Sequence, residues 1–203
     1  MAFIEETLAA AGLTKIAGVD EAGRGPCAGP LVVAAVILKD YTSPALAKVR
    51  DSKELSEKVR EELYDVILEQ ALAYSIIEIS VHEIDSFGLH KSNIEGMRRA
   101  VSALQIEPEY VLTDGYAIPG LALPNLAVWK GDKVALCISA ASILAKVYRD
   151  RKMIELDALF PEYGLAKHKG YISAGHTAAI AAHGVKDFHR RSFSNIAEFL
   201  KNS

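Results

Sequence analysis

Apolar residues recur along this chain with two spacings. Leu31 to Leu38 (LVVAAVIL) is an unbroken apolar run of eight residues, which predicts a strand buried on both faces. Lys15 to Val19, ending at Asp20, predicts a second strand, and Tyr74 to Ser80, Tyr110 to Thr113 and Leu126 to Trp129 predict three more. Helical spacing marks residues 2–11, a segment from Ser56 to about Ala73, Leu89 to Leu104, Lys133 to Phe160, Thr177 to Ala182 and Asn195 to Leu200. Ser56 is a suitable N-cap, and Glu57, Glu61 and Glu62 follow where the helix dipole favours carboxylates. Pro161 stops the long helix. Between the first two strands, Glu21 to Pro30 (EAGRGPCAGP) is too rich in Gly and Pro to be regular throughout.

Early strands lie close together and later ones alternate with helices, the pattern of an α/β domain with a mixed sheet covered by helices. Residues 1–160 read as the core, and residues 161–203 as a C-terminal helical segment packed on the same domain. With 203 residues, 50% hydrophobic and 24% charged, the chain has the composition of a globular protein. It needs no disulfide or structural metal to stabilise it. Its two cysteines, Cys27 and Cys137, have no C-x-x-C spacing, and their scarcity fits a reducing compartment. No apolar run reaches the ~18 residues of a membrane span. Glu5 and Glu6 stand where a signal peptide carries Lys or Arg. The expectation is a cytoplasmic monomer. The net charge is −3, yet Lys146 to Arg191 holds nine Lys/Arg against five Asp/Glu and four of the six histidines, so the molecule is polarised.

The acids stand where α/β proteins bind ligands, at the carboxyl ends of strands. Asp20, with Glu21 behind it, ends one predicted strand and Asp114 another, while Asp132 sits in a turn before the long helix. If the Asp20 and Asp114 strands are parallel neighbours, their carboxylates converge. Successive strand residues point to opposite faces, so Glu21 joins them only if the chain turns at Ala22-Gly23. Converging carboxylates stay ionised when cations neutralise them. All-oxygen ligands suit Mg²⁺ or Mn²⁺, and two such ions suit phosphodiester hydrolysis. Gly23-Arg24-Gly25 lets main-chain groups approach a ligand with no Cβ in the way. Among the basic residues of the long helix, Lys146, Arg149, Arg151 and Lys152, most read as a solvated face. Lys146 is the expected phosphate contact, because Ser139 and Ser142 beside it are small. His168, His176, His183 and His189 lack zinc-ligand spacing, and they read as capping or phosphate-contacting residues.

The stretches Ile16–Leu38, Val49–Ser56 (VRDSKELS), Thr113–Gly115, Lys130–Arg151, His168–Ile180 and Phe188–Phe193 resemble the ribonuclease HII family, in the family's order and over nearly the whole chain. The resemblance implies a ribonuclease H-like fold, a five-stranded mixed sheet flanked by helices. It implies an endonuclease that cuts the RNA strand of RNA·DNA hybrids, and also at ribonucleotides embedded in duplex DNA. By the same resemblance Asp20, Glu21, Asp114 and Asp132 are catalytic, metal-binding acids. Gly23, Arg24 and Gly25 read the ribonucleotide, Asp51-Ser52-Lys53 is a phosphate-contacting loop, and Tyr171 senses the junction. Ser173 departs from the expected threonine but keeps a hydroxyl. A sliding clamp is a further possible partner, through the apolar pair Phe199-Leu200. Three other readings share some of these features: a DNA-cutting nuclease of the same fold, a non-catalytic hybrid-binding module, and a metal-independent glycosidase using Asp20 and Asp114.

Overall fold

The structure is a computed structural model and describes residues 4–201. Its centre is one five-stranded sheet in the order β3-β2-β1-β4-β5, formed by β1 (Ile16–Ala22), β2 (Leu31–Leu38), β3 (Ala71–Ile79), β4 (Tyr110–Asp114) and β5 (Asn125–Val128). β1 and β2 pair antiparallel, as do β2 and β3, whereas β1, β4 and β5 run parallel.

All eight β2 residues are buried. Val32, Ala34, Val36 and Leu38 face one core, with α2 (Glu57–Gln70) and α5 (Leu136–Leu159). Leu31, Val33, Ala35 and Ile37 face the other, with α4 (Leu89–Ser102). A strand buried on both faces has no polar alternation to show, hence the continuous apolar run. Each fully buried Val, Leu or Ile contributes roughly 1.5–3 kcal/mol. Gly18 permits the closest approach: a Cβ there would collide with the main chain of Cys137 and Ile138. α5 therefore lies directly against β1.

The structure moves several sequence-based boundaries. β1 does not stop at Asp20 but carries Glu21 and Ala22, held by pairing with Val33 and Val32. α2 begins at the expected cap, where Ser56 Oγ accepts from Val59 N at 3.4 Å. It ends at Gln70 rather than Ala73, because Ala71 and Ala73 pair with Leu38 and Ile37 of β2. The first helix, α1, runs Ile4–Ala10; residues 2 and 3 of its expected span lie outside the described residues. A helix absent from the sequence reading, α3 (Val81–Phe87), starts at a capping box formed by Ser80 and Glu83. α6 (Leu165–His168), α7 (Ala174–His183) and α8 (Ser194–Lys201) follow the long helix. They pack around Cys27, Met153, Tyr163 and Ile180. Among the described residues no helix is long and apolar enough to cross a membrane.

Candidate active site

β4 pairs with β1 only as far as Thr113, opposite Val19. Beyond that point one side of β1 is unpaired, and the acids gather there. Asp20 points to the α5 side, where Ser142 lies beside it, and Glu21 to the α4 side, beside Asn93. Glu21 thus reaches the site from within the strand; the turn invoked to swing it round is not needed. Asp114 closes β4, and its Oδ1 accepts from Gly131 N at 2.8 Å. That bond fixes the single 3-10 turn carrying Asp132 (Gly131–Lys133).

Two adjoining clefts of about 420 Å³ each open here. Glu21, Arg24, Lys53 and Asp114 line both. Asp132, Asp51 and Trp129 line the first, and Asp20, Gly23, Gly25, Lys146 and Tyr171 the second. All ten residues singled out in the sequence therefore border one continuous depression.

Burial and mutual repulsion push these acids up. Burial raises Asp20 well above the carboxylate range, and the charges of Glu21 and Asp114 add to it. Burial raises Glu21 as well, opposed by Arg24 and Asn93. Asp132 is pushed up to about 6 by burial and by Asp51 and Asp114, with Lys53 opposing. Glu21 Oε2 is buried without a hydrogen-bond partner. Among the described residues no three acidic, imidazole or thiol groups yet cage a common point. The donor set nonetheless fits a hard divalent cation: carboxylate oxygens, one of them orphaned, whose mutual repulsion Arg24 and Lys53 only partly offset. Neither cysteine lines either cleft, so thiolate-based zinc chemistry has no ligand there.

A raised folded-state pKa means that the folded protein binds protons more tightly than the unfolded chain. The stability these acids contribute is then complete below about pH 4 and lost as pH rises through the folded values, about 6 for Asp132. Magnesium, which pairs with the ionised forms, should raise the thermal midpoint by about 5–10 °C at a hundredfold excess over its dissociation constant. Melts at pH 7.5 should show this rise and melts at pH 4.5 almost none; equal rises at both would contradict it.

The glycine loop after β1 is held from behind. Arg149, expected on a solvated face, is fully buried instead. It donates to the carbonyls of Pro30 (2.9 Å), Ala28 (3.0 Å) and Lys169 (2.9 Å). Arg190 is buried too, and it donates to Gly29 O at 2.9 Å and Arg24 O at 3.2 Å. Burial lowers Arg149 to about 10 and Arg190 to about 9, so both stay charged at neutral pH. Gly23 has a φ of +100°, and a Cβ there would strike the Arg149 guanidinium. At Gly25 a Cβ would lie 3.1 Å from the Tyr171 ring. Arg149 thus ties residues 28–30 to the Tyr171 segment and lies against Gly23, while Arg190 ties Arg24 to Gly29.

The basic candidates are differently engaged. Arg24 pairs with Glu21 Oε1 at 3.5 Å and lies over the Tyr116 ring. Lys146 donates to Asp150 Oδ1 at 2.7 Å, while Lys53 is exposed at the rim. Ser52 bonds Ser142 of α5 at 2.9 Å, which seats the Asp51–Lys53 loop. His168, His176 and His189 form a stack, while His183, at the end of α7, lies against Tyr163. His168 lies 4.4 Å from His176, and His176 bonds both His189 (3.1 Å) and the Tyr171 carbonyl (3.0 Å).

The ribonuclease HII family model matches residues 17–196. This chain belongs to the ribonuclease HII family. The ribonuclease HII of Corynebacterium jeikeium is 54% identical over 195 residues, covering 96% of this chain and 94% of its own. Ribonuclease H2 from Pyrococcus horikoshii superposes with a TM-score of 0.81 at 28% identity, covering 93% of this chain and 98% of that one. The ribonuclease HII of a PCNA complex from Archaeoglobus fulgidus does so at 0.73 and 30%, covering 89% and 96%. The five-stranded mixed sheet is accordingly a ribonuclease H-like fold. As a member of that family the chain is a metal-dependent endoribonuclease, acting on RNA in RNA·DNA hybrids. Sequence reasoning missed Arg149, Arg190 and Asn93 as site supports and Asp51 as a neighbour of Asp132. The run Asp51-Ser52-Lys53 had marked the last of these only as part of a phosphate loop.

Proposed function

We propose that the enzyme also cuts beside single ribonucleotides embedded in duplex DNA, and that two divalent ions, Mg²⁺ or Mn²⁺, serve its site. Asp20, Glu21, Asp114 and Asp132 would hold them. Bound there, the ions supply water activation near neutral pH and charge stabilisation at the scissile phosphate. The convergence of these acids beyond the last β1–β4 pair, beside a main-chain loop clamped by buried arginines, carries the reading.

The residues themselves divide the remaining work. The 2′-hydroxyl distinguishes RNA from DNA and both donates and accepts. Main-chain N–H and C=O groups at Gly23–Gly25 read it at close range, so selectivity follows sugar rather than base sequence. Tyr171, half exposed, offers a flat face to the neighbouring deoxyribose, where an added hydroxyl would collide. Lys53 and Lys146 hold phosphates, and Arg24 keeps the Glu21 carboxylate in place until the substrate arrives. Such phosphate contacts make binding salt-dependent. The products carry 5′-phosphate and 3′-OH ends. The PCNA-bound relative supports testing a sliding clamp as a partner. In this chain Phe199 packs on the C-terminal core and Leu200 is exposed.

A DNA duplex with one ribonucleotide tests the reading. In magnesium a single cut beside that nucleotide is expected, and none in EDTA. Cutting of the all-DNA duplex would favour a general nuclease, and cleavage in EDTA would remove the metal from the mechanism.

A further inference from the structure

Trp129 is the only tryptophan in the sequence, and it is 80% exposed. It follows the last residue of β5 and lines the cleft that contains Glu21, Asp114 and Asp132. A large aromatic left in water beside a charged cleft contributes nothing to the core.

Like Tyr171, it stands close to a residue with positive φ. Among the described residues only two non-glycine residues have positive φ, Lys130 at 54° and Lys169 at 49°. Side-chain-bearing residues rarely adopt this conformation, and it concentrates at functional sites. Lys130 directly follows Trp129, and Lys169 stands two residues before Tyr171. Each turn is anchored to the site: Gly131 N, after Lys130, donates to Asp114, and the Lys169 carbonyl accepts from Arg149. Trp129 and Tyr171 therefore stand on the two clefts that share Glu21, Arg24, Lys53 and Asp114 as a common wall. Lys53 and Lys130 are exposed beside the acids of the first cleft, and Lys133, also exposed, pairs with Glu54 at 3.1 Å; Lys53 and Lys130 offer phosphate contacts at its rim.

We infer that Trp129 is a second aromatic contact for the hybrid duplex, packing on its sugar and base surface on the Asp132 side of the acids as Tyr171 does on the glycine-loop side. The occupant is nucleic acid because Trp129 lines the same cleft as Lys53, Lys130 and the acids Glu21, Asp114 and Asp132. Hybrids with A-form character present a wide, shallow minor groove to such a face. Aromatic stacking tolerates any base sequence, in keeping with selectivity by sugar. The inference rests on the hybrid-cleaving reading.

Because Trp129 is the sole tryptophan, its fluorescence reports on this contact alone. The wild-type enzyme is mixed rapidly in magnesium with excess hybrid carrying a label, and tryptophan emission and hybrid anisotropy are followed together. Both should change in the same phase, and acrylamide should reach Trp129 less well in the complex. W129A should raise KM about 5- to 100-fold with kcat within about twofold, and W129F should restore most of the affinity. A rise in anisotropy without a change in emission or acrylamide access overturns the inference and leaves the hybrid reading standing. So does an unchanged KM for W129A, or a loss confined to kcat. Failure of any hybrid to bind overturns both.

Discussion

Replacing Asp20 by asparagine should lower the rate of hybrid cleavage by on the order of 10³-fold or more, while the protein becomes no less stable and melts at the same or a higher temperature. The first half follows from geometry. Asp20 sits where the unpaired edge of β1 begins, within the field of Glu21 and Asp114. Losing one of the proposed metal ligands would remove several kilocalories per mole of transition-state stabilisation, and each 1.36 kcal/mol is about tenfold in rate. The second half follows from burial. The ionised Asp20 carboxylate is disfavoured in the fold, so at neutral pH an uncharged side chain of the same shape relieves a cost. Asp114→Asn should show the same loss of rate. Single-turnover cleavage and thermal melts of the two variants check both halves; wild-type turnover in either would refute the assignment.

Arg149→Met should cost at least about 3 kcal/mol of stability. Methionine keeps most of the length but strands the carbonyls of Ala28, Pro30 and Lys169. Each buried acceptor without a partner costs about 1–3 kcal/mol. At about 2–4 °C per kcal/mol for a chain of this size, the midpoint should fall by about 6–12 °C, which urea titration would confirm as free energy. A second consequence separates clamping from mere stability. With residues 28–30 released from the Tyr171 segment and Gly23 no longer backed by a guanidinium, the ratio of cleavage beside a ribonucleotide to that beside a deoxyribonucleotide should fall at temperatures where the variant is fully folded. An unchanged ratio would reduce Arg149 to a packing residue.

The sheet was legible because β2 is buried on both faces and because strand ends carry acids. Asp114 stands at the end of β4 as its position implied. Other features depended on partners distant in sequence. Arg149 sits among Lys and Arg on α5 and reads as a surface residue; its burial is decided by carbonyls 119 and 121 residues away. Glu5 has no local signal for burial, yet in the fold it is buried and accepts from Cys137 N at 2.8 Å, which satisfies the start of α5. Ala71 to Ala73 follow a helical pattern and yet lie in β3, since pairing with β2 overrides local preference. α3 was different: its Ser80–Glu83 signature is local and could have been found.

The main chain of residues 27–29 is bonded to Gly170, Phe188 and Arg190, and Arg190 closes over Gly29 from 161 positions away. During synthesis at about 5–20 residues per second, roughly 8–32 s separate the emergence of the loop from that of its keeper. A growing polypeptide still tethered to the ribosome thus holds residues 24–29 without the arginine that anchors them. With Gly23–Gly25 as the proposed sugar-contacting loop, selectivity is completed only when translation is almost done, so products truncated before Arg190 should lose preference for ribonucleotides.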